Sequence, residues 1–320
     1  MSTISEKKLK EIVKFLSNYG KTKTLKAYQI SEETFNRYMR KARQKDLLLK
    51  HGDIKVLDQV RKMFTDEELK AIVRSGKISP LIDDYPEVHF DGKRIKFCLS
   101  GDWHLGSKFT ISRNIYKMYK VCKQESVEFL TIGGDVTEGM SNRAGHIYEL
   151  SHIGYDRQKD FAMGIISEAP CHVYAIDGNH DRWYLKSSGA KIVKDIADNV
   201  KNMSFLGHDV GHISLKGKAK LQLWHGEDGN TYALSYRLQK VIESLTGGFK
   251  PDIMSFSHTH KFCYIFDRHI HSISCGSLQA QTDWMRGKRI AAHTGFVIVD
   301  ACINDQGVSS CSVQWYPFYI

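Results

Sequence analysis

Residues 171–183 read CHVYAIDGNHDRW, and this stretch changes character halfway along. Its first half is apolar and contains β-branched residues, a composition typical of a buried strand. Its second half places Asn179, His180 and Asp181 directly after that strand. A buried strand holds the residues at its end rigidly, as a metal site requires. The stretch therefore predicts a sheet with a functional edge.

The same arrangement of an apolar run followed by polar residues recurs elsewhere in the chain. Four further runs are followed by Asp102, His104, Asp135, His225, His258 and His260. Loops at the carboxyl ends of strands share one crevice in α/β folds, so these side chains are expected to meet. Oxygen and nitrogen donors without thiolate suit two divalent ions, Mn²⁺ most of all, with Fe, Zn or Ni as alternatives. Asp135 is the natural bridge between such ions.

These motifs resemble, one by one, those of the calcineurin-like metallophosphoesterase superfamily. The Asp-x-His motif of the family matches Asp102 and His104, and its Gly-Asp-x-x-(Asp/Glu)-Gly motif matches residues 134–139. Its Gly-Asn-His-Asp motif matches residues 178–181. The elements occur in the family's order, which makes the resemblance specific.

The later motifs of the family follow in the same order, and the resemblance covers roughly residues 94–300. A lone histidine after a strand matches His225, and the closing His-x-His matches His258 and His260. Ser257 stands where the closing motif usually has glycine. We expect this departure to alter a turn rather than to remove a ligand.

The resemblance implies a four-layer αββα sandwich and a set of metal ligands. Asp135 would bridge two ions, and a hydroxide between the ions would be the nucleophile. One ion would be bound by Asp102, His104 and His260, and the other by Asn179, His225 and His258. Glu138 is expected to support its loop rather than to touch metal.

The resemblance also implies how the residues beside the metals divide the chemistry. His180 would lie beside the scissile phosphate as a transition-state stabiliser or general acid. Asp181 would orient His180 and raise its pKa by charge pairing. Another His-x-His, at His269 and His271, lies within a strand-like stretch and is excluded from the site.

Substrate contacts are predicted from two further stretches. Arg143 and His146 follow a site loop. Trp284 and Arg286 place an aromatic ring among basic side chains, a combination suited to stacking and phosphate contact. The simpler alternative for each basic residue is an exposed, solvated side chain.

The chain divides into three parts by sequence pattern. Residues 1–76 have helical periodicity, residues 77–93 contain Pro80, Pro86 and Gly92 and are predicted to be a linker, and residues 94–320 alternate strand and helix patterns. The larger part is therefore predicted to be a mixed α/β domain that carries the chemistry. We expect a small all-α domain before it.

In the first part, one predicted helix ends at Gly20 and a short second helix begins near residue 22. A third helix follows, with Ser31 as its N-cap. Two more helices are expected, the last one opened by Thr65 and Glu68. The third helix has an apolar face and a polar face. The polar face, which fits the recognition helix of a helix-turn-helix, consists of Asn36, Arg37, Arg40 and Lys41.

Charge supports DNA as the partner of this helical part. Residues 1–50 contain 13 basic and 5 acidic residues, a net charge of +8. The formal net charge of the whole chain is +10, so most of the excess positive charge lies in these fifty residues. Neutralising phosphates is the common use of such a basic patch. A helical module that docks onto a protein is the alternative. Paired half-sites would be consistent with a homodimer, although no motif requires one.

The expected cellular location is inferred from the hydropathy and cysteine patterns of the chain. No apolar run reaches about 18 residues and no secretory leader is recognised, so a cytoplasmic protein is expected, in the host cytoplasm if a phage encodes it. The seven cysteines form no Cys-x-x-Cys pair and are expected to be reduced.

Three functions remain open from sequence. The first is a nuclease or nucleic-acid phosphodiesterase brought to DNA by the helical part. The second is a phosphatase or a phosphodiesterase for small molecules or cyclic nucleotides, with a protein-binding helical part. The third is a DNA-binding regulator whose metal site is inactive. The protein Ser/Thr phosphatase branch of the family has arginine and glutamate at the positions of Gly139 and Asp181. This difference favours the nuclease-like branches, including those carried by phages and other mobile elements.

Overall fold

The structure is a computed structural model, and it describes residues 4–44, 85–227, 233–245 and 250–319. The chain divides into two compact units, Met1–Asp83 and Asp84–Ile320. Within the described residues, no helix is long and apolar enough to cross a membrane. The helices predicted after residue 44, including the one opened by Thr65 and Glu68, lie outside the described residues.

The described part of the smaller unit is helical. Helix α1 covers Glu6–Tyr28 and helix α2 covers Glu32–Gln44. Gly20 interrupts α1 with a φ of 78°, so α1 consists of two helical pieces, as predicted. Ser31 begins α2 as expected, because its Oγ accepts a hydrogen bond from the Thr34 N–H at 3.2 Å. The three helical pieces therefore have the order that a helix-turn-helix needs.

Helix α2 presents the two faces that its sequence predicts. Phe35 and Met39 are buried against α1 side chains such as Ile12, and Ala42 is buried as well. On the other side, Asn36, Arg37 and Arg40 are exposed and Lys41 is half-buried. The apolar face of α2 therefore contributes to the core of the helical unit, and most of its basic face is exposed.

The larger unit contains two six-stranded sheets and several helices. Its strands are β1 Glu87–Val88, β2 Arg94–Ser100, β3 Phe129–Gly133, β4 His172–Asp177, β5 Met203–His208, β6 Val210–Leu215, β7 Ala219–Trp224, β8 Ile253–Phe256, β9 Phe262–Asp267, β10 Ile270–Cys275, β11 Gly295–Asn304 and β12 Gly307–Pro317. Its helices are α3 Ser112–Gln124, α4 Tyr155–Ser167, α5 Arg182–Ser188, α6 Ile192–Asn199, α7 Tyr236–Ser244 and α8 Asp283–Gly287, with a 3₁₀ turn at His146–Glu149.

One sheet has the strand order β12-β11-β2-β3-β4-β5, and the other has β1-β6-β7-β8-β10-β9. Strands β2 to β5 run parallel, as do β7, β8 and β10. Parallel strands buried on both faces read as apolar runs, which explains why the sequence revealed them. Their carboxyl ends carry the loops that build the site.

Each sheet is covered on both faces. Alternate residues of β2, such as Ile95 and Leu99, pack with Leu221 and Ile253 of the second sheet. The other face of β2, at Cys98, packs with buried side chains of α3, α4 and α6. Helix α7 covers the second sheet through a separate apolar cluster. The expected four-layer αββα sandwich is confirmed.

The part of the predicted linker that the structure describes, residues 85–93, packs on the larger unit. Residues Glu87–Val88 form β1, which pairs with β6. Phe90 is buried in the core between the sheets, and Tyr85 stacks on His212 with ring centroids 4.6 Å apart. These side chains gain burial and ring contacts on the sheet, so residues 85–93 belong to the larger unit.

Candidate metal centre

The predicted ligands lie in five loops that follow β2, β3, β4, β7 and β8. The first three strands belong to one sheet and the last two to the other, so both sheets contribute to one centre. Asp102, Asp135 and His225 are almost fully buried. The convergence expected from the strand ends is therefore what the structure has.

Asp102, His104 and His260 form one group of donors. The Nε2 atoms of His104 and His260 lie 3.1 Å apart. Asp102 Oδ1 lies 3.9 Å from His260 Nε2. The ligand atoms of the three residues all lie within 4.8 Å of one another, so they could hold one metal ion.

Asn179, His225 and His258 form the second group. Asn179 Oδ1 lies 2.8 Å from His258 Nδ1 and 3.1 Å from His225 Nε2. Asp135 lies between the two groups, because its Oδ2 is 3.2 Å from His225 Nε2 and 3.7 Å from His104 Nε2. One carboxylate could therefore face both ions.

The charges of this centre fit divalent cations. Burial raises the pKa of Asp102 to about 7 against the opposing effect of His225. Burial also disfavours ionised Asp135, but His225 and His180 outweigh it and hold the pKa of Asp135 well below its usual range. Burial and His225 lower the pKa of His258 to about 3. His258 is therefore neutral, and a neutral imidazole beside buried carboxylates belongs to a donor set that divalent metals prefer.

Contacts on the far side of each ring decide which nitrogen faces the centre. His104 Nδ1 lies 3.0 Å from Glu138 Oε2, and His225 Nδ1 donates to the Gly133 carbonyl at 2.8 Å. The Nε2 atoms are then left as ligands, an arrangement common around bound metals. Burial lowers the pKa of His104, but Glu138 outweighs it and raises the value to about 9. Glu138 thus contacts the predicted ligand His104 on the side of the ring that faces away from the centre.

The backbone of the centre is strained at five of the predicted ligands. Their φ angles lie between 47° and 73°, in the left-handed region, and they are Asp102, His104, Asp135, His258 and His260. Residues other than glycine rarely adopt this conformation, which costs of the order of 1–3 kcal/mol each. Such strain persists only where the surrounding structure enforces it, and it is typical of functional sites.

Ser257 occupies the space between two strand ends. A Cβ atom added to Gly101 or Gly133 would lie about 2 Å from Ser257 Oγ. The side chain of Ser257 therefore needs glycine at both positions. His258 and His260 remain directed at the centre, so serine in place of the usual glycine removes no donor.

Asp181 does not have its expected role. Its carboxylate accepts hydrogen bonds from the backbone N–H groups of Val136, Thr137 and Gly178 at 2.7–3.0 Å. These contacts join the loops after β3 and β4. The expectation that Asp181 orients His180 is wrong, because its carboxylate accepts hydrogen bonds from these backbone N–H groups instead.

His180 is oriented by other groups. Its Nδ1 donates to the Glu138 carbonyl at 2.8 Å, which leaves Nε2 as the nitrogen that can reach a substrate. Its ring lies 4.0 Å from the ring of Trp183 and 4.6 Å from that of His104, by centroids. Burial lowers the pKa of His180, contrary to the predicted rise.

A cavity of about 480 Å³ opens over the centre. Its lining includes donors from both groups, His180, Trp183 and two of the predicted substrate contacts, Arg143 and Trp284. A volume of about 480 Å³ is within the range of small-molecule binding sites. The sequence therefore identified part of the cavity wall.

Two other predicted substrate contacts do not line this cavity. His146 is 1% exposed, its Nδ1 accepts from the Ser141 N–H, and its Nε2 lies 3.0 Å from Glu138 Oε1. Both nitrogens are engaged, so the interpretation of His146 as a substrate contact is corrected to a support for Glu138. Arg286 pairs with Asp283 at 3.4 Å on the surface, outside the cavity lining.

Sequence reasoning missed Arg237 on α7. Its guanidinium is buried and donates to the carbonyls of Ser257 and His225 at 3.0 and 2.6 Å. It also lies over the ring of Trp224, 4.5 Å from the centroid. Arg237 thus joins the two loops that carry the imidazoles of the second sheet. Its sequence context resembles an ordinary amphipathic helix, so no local signal marked it.

The chain is similar to several solved structures and matches one family model. Among solved structures, an archaeal phosphodiesterase is 16% identical and covers 69% of this chain and all of its own, with a TM-score of 0.40. A conserved uncharacterized protein from Streptococcus pneumoniae, described as a predicted phosphoesterase, is 11% identical and covers 70% of this chain and 99% of its own, with a TM-score of 0.36. A search of curated proteins finds no significant match. The model of the calcineurin-like phosphoesterase family matches residues 95–262, more than half of the chain, and the chain therefore belongs to this family.

Proposed function

We propose that this protein hydrolyses phosphodiester bonds in DNA with the aid of two divalent metal ions. The observation that supports this best is the convergence of oxygen and nitrogen donors from both sheets around Asp135. A site that had lost its activity would be expected to have lost donors, whereas every predicted ligand position is filled. Catalysis is therefore favoured over a purely regulatory metal site.

The two groups of donors divide the ions between them. Asp102, His104 and His260 would hold one ion, and Asn179, His225 and His258 would hold the other, with Asp135 shared. Bound there, the ions would supply Lewis-acid activation of water and of the phosphoryl oxygens. Mn²⁺ is the first ion to test, with Fe, Zn and Ni as alternatives.

His180 is the proposed residue that contacts the phosphate directly. With Nδ1 fixed on the Glu138 carbonyl, Nε2 is available to a phosphoryl or leaving-group oxygen in the cavity. Trp183 packs on the imidazole and limits its rotation. A ring held in this way can favour the charge that develops in the transition state without reorganising.

DNA is proposed as the substrate because of the helical unit. Two short helical pieces and a turn precede α2, whose basic side chains Arg37 and Arg40 are exposed. This order and this face match a recognition helix that enters the major groove. The proposed role of the helical unit is to bring the phosphoesterase unit to DNA.

The proposal is tested with the purified full chain in Mn²⁺ and four substrates, which are duplex DNA, single-stranded DNA, a cyclic nucleotide and a phosphomonoester. Asp135→Ala is the inactive control. Cleavage of DNA by the wild type alone supports the proposal. Cleavage of only the monoester would indicate a phosphatase, and cleavage of only the cyclic nucleotide a small-molecule phosphodiesterase. Inactivity with metal bound would indicate a regulator.

A further inference from the structure

The mouth of the cavity is formed by two short segments outside the metal centre. Residues 141–149 contribute Arg143 and Glu149, and residues 282–290 contribute Trp284. The indole of Trp284 is 46% exposed although it lines the cavity. A large, exposed aromatic ring beside this cavity can stack on a ligand that is also flat.

Arg143 and Trp284 contact each other across the mouth. The guanidinium carbon of Arg143 lies 5.9 Å from the centroid of the Trp284 ring, within the range of a cation–π contact. Arg143 Nη2 donates to Glu149 Oε2 at 2.7 Å, which restrains the guanidinium. The pair therefore presents a ring and a planar cation in a fixed relation.

The backbone under Trp284 is also restrained. Thr282 begins α8 and its Oγ1 accepts from the Met285 N–H at 3.1 Å, while Met285 itself is buried. Gln281 Nε2 donates to the Ile290 carbonyl at 2.7 Å and closes the segment behind the helix. A stacking surface held in this way loses little conformational entropy when a ligand binds.

Both segments are anchored on the same buried carboxylate, Glu138. Its Oε1 lies 3.0 Å from His146, whose Nδ1 accepts from the Ser141 N–H two residues before Arg143. Its Oε2 accepts from Gln279 Nε2 at 2.8 Å, shortly before the Trp284 segment. Because Glu138 also contacts His104, the mouth is held in register with the metal centre.

We propose that Arg143 and Trp284 form a stacking platform for one nucleobase next to the scissile phosphate, so that the enzyme selects unstacked nucleotides. This inference rests on the proposed DNA hydrolase function. Aromatic rings and arginine planes bind bases without reading their sequence, since every base has a π-face. A base inside a duplex has both faces covered by its neighbours and cannot use the platform. The preferred substrates are then single strands and frayed or extruded nucleotides.

The first test compares three DNA substrates of equal length: a single strand, the same strand with abasic nucleotides at the cleavage positions, and the duplex. We expect the wild-type enzyme to cleave the intact single strand with a kcat/KM about 5- to 150-fold above that for the abasic strand, the range that one base stack provides. Equal kcat/KM on the two strands would overturn the platform.

Variants then locate the effect. Trp284→Ala should bring the ratio of the two kcat/KM values close to one, whereas Trp284→Phe should keep most of it because a ring remains. Phe266→Ala is the matched control, since Phe266 is a 57% exposed ring on β9 that does not line the cavity. If Trp284→Ala lowered both values equally, Trp284 would be structural and the proposal would be wrong.

A binding measurement separates this inference from the proposed function. The chain has five tryptophans, so the fluorescence of wild type minus that of Trp284→Phe isolates the signal of Trp284. Thymidine 5′-monophosphate should quench this signal and deoxyribose 5-phosphate should not. Quenching in a protein that cleaves no DNA would retain the platform and reject the DNA hydrolase. Absence of quenching in a protein that cleaves DNA would retain the DNA hydrolase and reject the platform.

Discussion

The metal centre and the basic face of α2 are the two proposed functional regions, and they differ in how their side chains are held. Most donors of the centre are buried, five of them have a strained backbone, and they lie close to one another across both sheets. Arg37 and Arg40 are exposed on a single helix. The proposed catalysis would therefore depend on a preorganised network, whereas the proposed DNA contact would depend on separate charges. Substitutions should therefore have very large effects in the first region and graded effects in the second.

The largest effect is expected at Asp135. Asp135→Asn removes a charge that faces both groups of donors, and the loss of Lewis-acid activation worth several kcal/mol corresponds to a fall in kcat of about 10³-fold or more. Metal content measured by elemental analysis should fall as well. Asp300→Asn, at a surface ion pair with Arg94, is the control and should retain both. Full activity of Asp135→Asn would contradict the assignment.

His180 should follow, with a smaller effect. His180→Gln removes the imidazole that faces the phosphate and should lower kcat about 10²- to 10³-fold while metal content is unchanged. The comparison with Asp135 thus separates chemistry from metal binding. Metal loss in His180→Gln would show that this ring is a ligand.

Asp181→Asn provides the contrast next to His180. It replaces a carboxylate that accepts three backbone N–H bonds, and we expect it to destabilise the fold by about 1–3 kcal/mol. Thermal unfolding should show a lowered Tm. A normal Tm together with a shifted pH profile of kcat would restore the discarded role of Asp181 as the orienting partner of His180.

Arg237 tests whether the network extends beyond the donors. Arg237→Ala leaves the buried carbonyls of His225 and Ser257 without their charged donor, which should cost about 2–4 kcal/mol of stability. Loss of a supporting contact of this kind lowers metal affinity by roughly 10- to 100-fold. Thermal unfolding and Mn²⁺ titration measure the two effects. Lys240→Ala, on the exposed side of the same helix, should change neither.

The smallest effects are expected for DNA binding by the basic face of α2. Arg37→Ala combined with Arg40→Ala should weaken binding to duplex DNA and reduce the slope of log K against log salt by about 1 per lost phosphate contact. Fluorescence anisotropy at several salt concentrations gives this slope. Lys7→Ala with Lys8→Ala removes the same charge from exposed positions of α1. Equal losses in both pairs would show that charge alone, and not the face of α2, determines binding.

Some of this protein could be read directly from its sequence. Buried parallel strands appear as apolar runs, and the residues that follow them are local to the chain, so β2, β3, β4 and the polar residues after them were recognisable. The faces of α2 follow from helical periodicity in the same way. The missing predictions concern short elements without periodicity, such as β1.

Tertiary structure alone decided how the supporting groups are used. Asp181 binds N–H groups about 45 residues away in sequence, and Arg237 binds the Ser257 carbonyl 20 residues away. Partners at such separations are chosen by how the loops of two sheets pack, which no local pattern encodes. Glu138 shows this most clearly, since one carboxylate joins a proposed ligand, His104, to both walls of the cavity mouth. The sequence thus determined which donors exist, and packing determined what each of them holds.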